Sequence, residues 1–306
     1  MAILLVFLLG IPLYLLLLNL KHRKNGERLL SPPGPQGLPF IGNLHQLDTS
    51  FLHRYLWQLS KKYGPLMSLQ LGCVPTLVVS SAKMAKEVMK THDLIFCSRP
   101  GLLGLQKLSY KGLDVVLSSY NDSWRELKKI VTLHLFSSKR VQSFRPIREE
   151  EVSRMITKVS QLAASSKLVN LSEIVTTLTS TMICRIAFSK RFDEGYEGSR
   201  FHDLLIEVQA VAAKFYFSDH FPLIGWLDNV TGLCARLDKN FKEMDLFYQE
   251  LIDDHLDPKR KNSTQEDLID IFLRLKEDQS LSVDLTFDHI KAVLMVIHVY
   301  LLLNKR

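Results

Sequence analysis

Residues 62–80 read KYGPLMSLQLGCVPTLVVS. Helical spacing upstream predicts a helix over Leu52–Tyr63, stopped by Gly64-Pro65, a pair that no helix interior tolerates. Leu66–Leu71 then alternates with the period of a strand. Gly72-Cys73-Val74-Pro75 reads as a four-residue turn, and Thr76–Ser80 as the returning strand. After Ser81 the apolar period becomes helical and stays so. One hairpin in an otherwise helical chain defines the fold class: mainly α with a small β-sheet.

The helices carry their own punctuation. Ser123-x-x-Glu126 is read as a capping box that opens a helix through Leu135. Beyond Pro146, Val152, Met155, Ile156, Val159 and Leu162 share one face. Phe201, Leu204, Leu205, Val208, Val211, Ala212 and Phe215 form a second such stripe. Leu237, Phe241, Met244, Tyr248, Leu251, Ile252 and His255 form a third. Thr264-x-x-Asp267 is expected to start a short helix and Thr286 the last one. Pro258–Gln265 is polar and reads as a loop.

At the other end of the chain, residues 2–20, AILLVFLLGIPLYLLLLNL, hold no charged side chain. That length crosses a bilayer core of about 30 Å as a helix. Lys21, His22, Arg23 and Lys24 follow at once and no Lys or Arg precedes, so the body is expected on the cytosolic side. The uncharged start and the missing small-x-small site argue against a cleaved signal. Residues 21–39 are a basic, proline-rich linker containing Pro32-Pro33-Gly34-Pro35. Four N-x-S/T sequons, at Asn121, Asn170, Asn229 and Asn262, are expected to stay unmodified in a cytosolic body.

The 306 residues are 46% hydrophobic with a net charge of +7. No Lys/Arg block interleaves with aromatics, so nucleic acid is not an expected partner. The four cysteines, Cys73, Cys97, Cys184 and Cys234, are widely spaced and include no C-x-x-C, which fits a reducing compartment and no zinc site. The ten histidines show no metal-ligand spacing. Signatures of zinc proteases, P-loops and nucleophile elbows are missing as well. One arrangement stands out. Trp124 and Lys128 lie four apart on one helical face, and Arg99 sits in the preceding Phe96-Cys97-Ser98-Arg99-Pro100 loop. An indole N–H beside a cation suits a carboxylate. The same residues equally make the outer face of a basic amphipathic helix, and spacing alone leaves both readings open.

The order of these segments carries more than any one of them. An anchor and basic flank are followed by PPGPQGLPFIGNLHQL (32–47), KYGPLMSLQLG (62–72) and VVSSAKMAKEVMKTHD (78–93). Then come F-x-x-R-P at 96–100, SWRELKKI (123–130) and SSKRVQSFRPIREEEV (137–152). This series resembles the plant microsomal, A-type cytochrome P450 family, from the anchor to about Met295. The resemblance implies an incomplete cytochrome P450 fold preceded by one transmembrane helix. It divides the chain into an anchor (1–20), the linker (21–39), a family body (40–295) and a divergent tail (296–306).

It also implies haem as cofactor, with Trp124, Lys128 and Arg99 at the haem propionates. Lys128 stands where the family usually has arginine, so it keeps the charge without the planar fork. Residues 101–119 resemble the segment lining the substrate pocket, and 210–226 the lid bordering the access channel. The implied partners are a lipophilic small-molecule substrate, the membrane of the endoplasmic reticulum and NADPH-cytochrome P450 reductase, which Lys128, Lys129, Lys139 and Arg140 would meet. The implied reaction is NADPH- and O2-dependent oxidation. After HIKAVLM (289–295) the chain reads VIHVYLLLNKR, without the family's oxygen-activation threonine, its E-x-x-R pair or its axial-cysteine loop. No catalytic residue and no metal ligand is therefore assigned. The chain by itself is expected to be inactive, and apolar faces such as Phe201–Phe215 are expected to lack partner surface. The other expectation is a non-catalytic membrane-anchored binding or regulatory protein derived from the same fold.

Overall fold

The computed structural model describes residues 31–192, 195–260, 265–278 and 283–302; the expected anchor (1–20), most of the basic tether, Asn262, Thr264 and the last four residues lie outside them. The chain packs as two units, one of residues up to Cys97 with His220–Gly225, the other of Ser98–Asp219 and Trp226 onward.

In the first unit, the proline-rich run is extended and tied down. Ser68 N donates to the Pro33 carbonyl at 3.0 Å. A Cβ on Gly34 would stand 1.9 Å from the Ser68 carbonyl oxygen, so only glycine allows this approach. Asn43, 1% exposed, closes the corner. Its Oδ1 accepts from Gln70 N at 2.7 Å and its Nδ2 donates to the Pro35 carbonyl at 3.1 Å. Helix α1 is Leu52–Tyr63, as the spacing predicts, and ends at Gly64 with φ +98°. Strands β1 (Leu66–Leu71) and β2 (Val74–Val79) pair antiparallel, with Leu71 opposite Val74. The turn is thus Gly72-Cys73 alone, not four residues. Pro75 enters β2 because a two-stranded sheet leaves each strand an open edge, where a missing N–H costs no ladder bond. Helix α2 (Ala82–Lys86) follows, capped by the Ser81 hydroxyl, which accepts from Met84 N at 3.3 Å.

The second unit is helical: α3 Leu103–Leu108, α4 Asp122–Ile130, α5 Arg145–Ala164, α6 Leu171–Phe188, α7 Gly195–Ala212, α8 Leu233–Leu256, α9 Leu268–Glu277 and α10 Phe287–Leu302. The cap of α4 is Asn121 rather than the expected Ser123; its side-chain oxygen accepts from Trp124 N at 2.7 Å. Asn at the cap satisfies the same orphan donor, and Asp122 in the first turn favours the dipole. The helix runs on to Leu135 through a π turn, Val131–Leu135. Asp267, not Thr264, caps α9, in a reciprocal box with Asp270. Thr286 does start α10: its hydroxyl accepts from His289 N at 3.4 Å.

Helices α6 to α10 share one core. Phe188, Val208, Tyr248, Ile252, Phe272 and Ile290 are each fully buried in it. Phe201 stacks on Phe247 with centroids 5.1 Å apart. The expected shortage of partner surface on the Phe201 stripe is overturned. Phe201, Leu205, Val208 and Val211 are at most 2% exposed, because α8 and α10 of this same chain cover them. Phe215 falls beyond the end of α7 and is exposed. The α5 stripe also departs from expectation: Ile156 is exposed and the buried residue is Glu151. Glu151 accepts from Arg185 and, at 2.9 Å, from Arg191, so a charge cluster joins α5 to the α6 region. Of the described helices, α6 alone has the length and composition of a membrane span. Its Cys184, Ala187 and Phe188 are buried where it packs on α5, α9 and α10, and Leu171 and Val175 are exposed.

Candidate functional site

The segment between α3 and α4 is built from short local bonds. Helix α3 ends at Ser109, which is fully buried. Tyr110, Lys111 and Gly112 follow with φ of 52°, 62° and 87°, a left-handed turn that costs free energy at the first two positions. The Ser109 hydroxyl accepts from Gly112 N at 2.9 Å. Tyr110 is held from outside: its hydroxyl donates to Asp245 Oδ1 at 2.8 Å, and its ring meets Phe241 edge-on. Lys291, itself buried, donates to the same Asp245 oxygen at 2.7 Å. Burial, followed by the hydrogen bond and charge of Asp245, pushes the Tyr110 hydroxyl far above its ordinary range.

Asp114, fully buried, folds the next turn: its Oδ1 accepts from Val116 N and from Leu117 N, the latter at 2.6 Å. Two of the expected site residues converge on that turn. Trp124 Nε1 donates to the Val115 carbonyl at 3.0 Å, and Arg99 Nε donates to the Val116 carbonyl at 2.9 Å. Lys128 lies with its ammonium 4.7 Å from the Trp124 ring centre, on the shared face that the spacing predicts. The structure therefore brings all three sequence candidates around one loop. It also shows that the indole N–H is engaged by the backbone. Charge remains: among the described residues neither Arg99 nor Lys128 pairs with a carboxylate, whereas neighbouring Arg125 and Lys129 pair with Asp122 and Glu126. Both Arg99 and Lys128 are exposed.

The four cysteines lie in different settings. Cys73 is exposed on the hairpin turn, and Cys184 is sealed in the core. The Cys97 thiol donates to the Leu94 carbonyl at 3.4 Å. Burial and the nearby Asp228 and Asp238 push the Cys234 thiol up, the opposite of what a thiolate ligand requires. Within 210–226, residues 220–225 pack on the hairpin turn: Cys73 N donates to the His220 carbonyl at 2.8 Å. A Cβ on Gly72, φ +64°, would stand 2.6 Å from that carbonyl oxygen. Of the basic residues expected to face a partner, Arg140 is committed to Glu266 at 3.0 Å and Lys139 is exposed.

One constellation escaped the sequence reading. His255, Asp267 and Asp270 bring ligand atoms within 4.8 Å of one another. Arg260 already occupies the cation's place, donating to Asp267 at 3.1 Å and to Asp270 at 2.7 Å. Burial alone would raise Asp267; the hydrogen bond and charge of His255, with other donors, outweigh it and hold the carboxyl below its usual range. This is an electrostatic cap on α9, and nothing in the spacing 255, 260, 267, 270 marks it in advance.

The family model for cytochrome P450 matches residues 32–299, nearly all of the described chain and every segment of the candidate site. The chain belongs to the cytochrome P450 family. Its relatives place this P450 among plant proteins of the A type. It is 52% identical over 290 residues to the 5-OH-xanthotoxin synthase of Pastinaca sativa, covering 94% of this chain and 57% of that one. It is 52% identical over 294 residues to the 6,7,8-trihydroxycoumarin synthase of the same plant, covering 95% and 57%. It is 43% identical over 285 residues to the strychnine-11-hydroxylase of Strychnos nux-vomica, covering 92% and 55%. This P450 chain thus spans a little over half the length of these relatives. The two-stranded sheet and helical body are the corresponding part of the family fold.

Proposed function

We propose that this chain forms the anchor-side part of a haem-thiolate monooxygenase, and that Arg99 and Lys128 hold the carboxylates along the haem edge. The observation that carries the reading is a pair of exposed cations, Arg99 bonded to the Val116 carbonyl and Lys128 over the Trp124 ring, neither paired with a carboxylate among the described residues. A porphyrin presents two propionates, and two unpaired cations suit them. Trp124 serves this site indirectly: its N–H holds the loop and its ring carries Lys128. Haem, when bound, would supply the oxygen-activating chemistry of the family. The residues described here would orient the cofactor; none of Cys73, Cys97, Cys184 and Cys234 is assigned as its ligand.

The rest of the reading follows the family. The substrate class is a small lipophilic plant molecule, a choice supported by the names of the relatives above. The anchor at 1–20 places the body on the cytosolic face of the endoplasmic reticulum, with 21–39 as linker, 40–295 as family body and 296–306 as tail. NADPH-cytochrome P450 reductase would dock on the basic surface, where exposed Lys139 is, among the described residues, neither paired with a carboxylate nor assigned to the haem edge. Titrating the purified chain with hemin tests the site. Arg99→Gln and Lys128→Gln are each expected to weaken binding at least about fivefold, the loss of roughly 1 kcal/mol of charge-assisted bonding. Equal affinities in all three proteins would remove the site from Arg99 and Lys128.

A further inference from the structure

Among the described residues Asp114 is the least exposed acid of the second unit, and it is only half used. Its Oδ1 gathers two backbone amides, Val116 and Leu117. Its Oδ2 is buried with no hydrogen-bond partner among the described residues. The two carbonyls that flank this turn are the ones that accept from Trp124 and Arg99. A bare carboxylate in that place pays heavily for its unmet oxygen, whereas a neutral carboxyl or an amide of the same shape pays much less. Burial, opposed by the Leu117 and Val116 amides, does push Asp114 up from its ordinary value.

We propose that Asp114 is the positioning residue of this site: by folding the 114–117 turn it aims the Val115 and Val116 carbonyls, and through them sets where Trp124 with Lys128, and Arg99, present their charges. That these cations meet propionates rests on the reading above. That Asp114 places them does not. The acid acts through geometry and needs no charge of its own, so asparagine should replace it and alanine should not.

The test uses the full chain in lipid nanodiscs, with 15N-labelled tryptophan. The indole proton of Trp124 is assigned by Trp124→Phe and its exchange with solvent is measured. Circular dichroism checks each variant's fold. In the unaltered chain the Trp124 indole proton exchanges slowly, while those of exposed Trp57 and Trp226 exchange fast. Asp114→Asn keeps the slow exchange, and Asp114→Ala speeds it about tenfold, the loss of one hydrogen bond's protection. Slow exchange persisting in a folded Asp114→Ala overturns the proposal. So does fast exchange in Asp114→Asn, which retains the acceptor oxygen, and that arm decides the matter where the alanine variant does not fold. Hemin titration of the same proteins separates the two readings. Affinity that falls with indole protection supports both. Indole protection lost with hemin affinity unchanged in Asp114→Ala, Arg99→Gln and Lys128→Gln leaves Asp114 as positioner and sinks the haem assignment.

Discussion

At Lys128 one atom group decides what the site holds. An ammonium is a point charge, and a guanidinium is a fork that matches a carboxylate with two bonds. Lys128→Arg should therefore tighten hemin binding about two- to fivefold, read in the same titration as Lys128→Gln; unchanged or weaker binding would show that Lys128 does not meet a carboxylate. Trp124→Phe should cost about 1 kcal/mol of unfolding free energy, because the Val115 carbonyl loses its donor, measured by denaturant titration. Asp114 carries a pH signature. Its folded pKa is raised, so its contribution to stability is full below the ordinary aspartate value near 3.9 and is lost as pH rises through the folded value. Asp114→Asn should flatten that part of the stability curve. The pairing of Trp124 with Lys128 was legible from their spacing. The role of Val115 and Val116 was not, since a backbone carbonyl that accepts from a distant side chain leaves no mark in residue type.

Among elements, the helices and the hairpin strands were readable because their apolar periods differ, and α1 was bounded by Gly64-Pro65. The ends were less so. Asn121, Asp122 and Ser123 are all cap-competent, and only tertiary placement selects Asn121. The α5 stripe misled because Glu151 makes an ion cluster with two arginines more than thirty residues away. Glu151→Ala should destabilise the chain by about 1–3 kcal/mol, discounted from a fully buried pair because Arg185 and Arg191 are 21% and 33% exposed; a melting temperature unchanged within error would refute the clamp. At the start of α10, burial lowers the His289 pKa, and its neutral Nδ1 stands 2.8 Å from the Thr286 hydroxyl. The sign is that of a group favoured uncharged: the cap is intact above the ordinary histidine value near 6.5 and is lost as pH falls through the lowered folded value. Hydrogen exchange at 287–290 should rise on acidification in the native chain and not in His289→Gln.

Over the whole molecule, the helical unit closes a core, the hairpin unit buries Met67 and Leu69, and exposed apolar side chains remain at Ile156 on α5 and at Leu171 and Val175 on α6. The family was legible from the order of segments, and the family model and the plant relatives bear that out. The burial of the Phe201 stripe was not, because closure by α8 and α10 depends on contacts far apart in the chain. The account's central claim is that these residues cradle a haem edge without providing the sulfur beneath its iron. The most direct measurement is the absorption spectrum of the hemin-loaded, reduced, carbon-monoxide-bound chain. The account predicts a Soret band of the histidine- or water-ligated kind. A thiolate-type band from this polypeptide alone would contradict it.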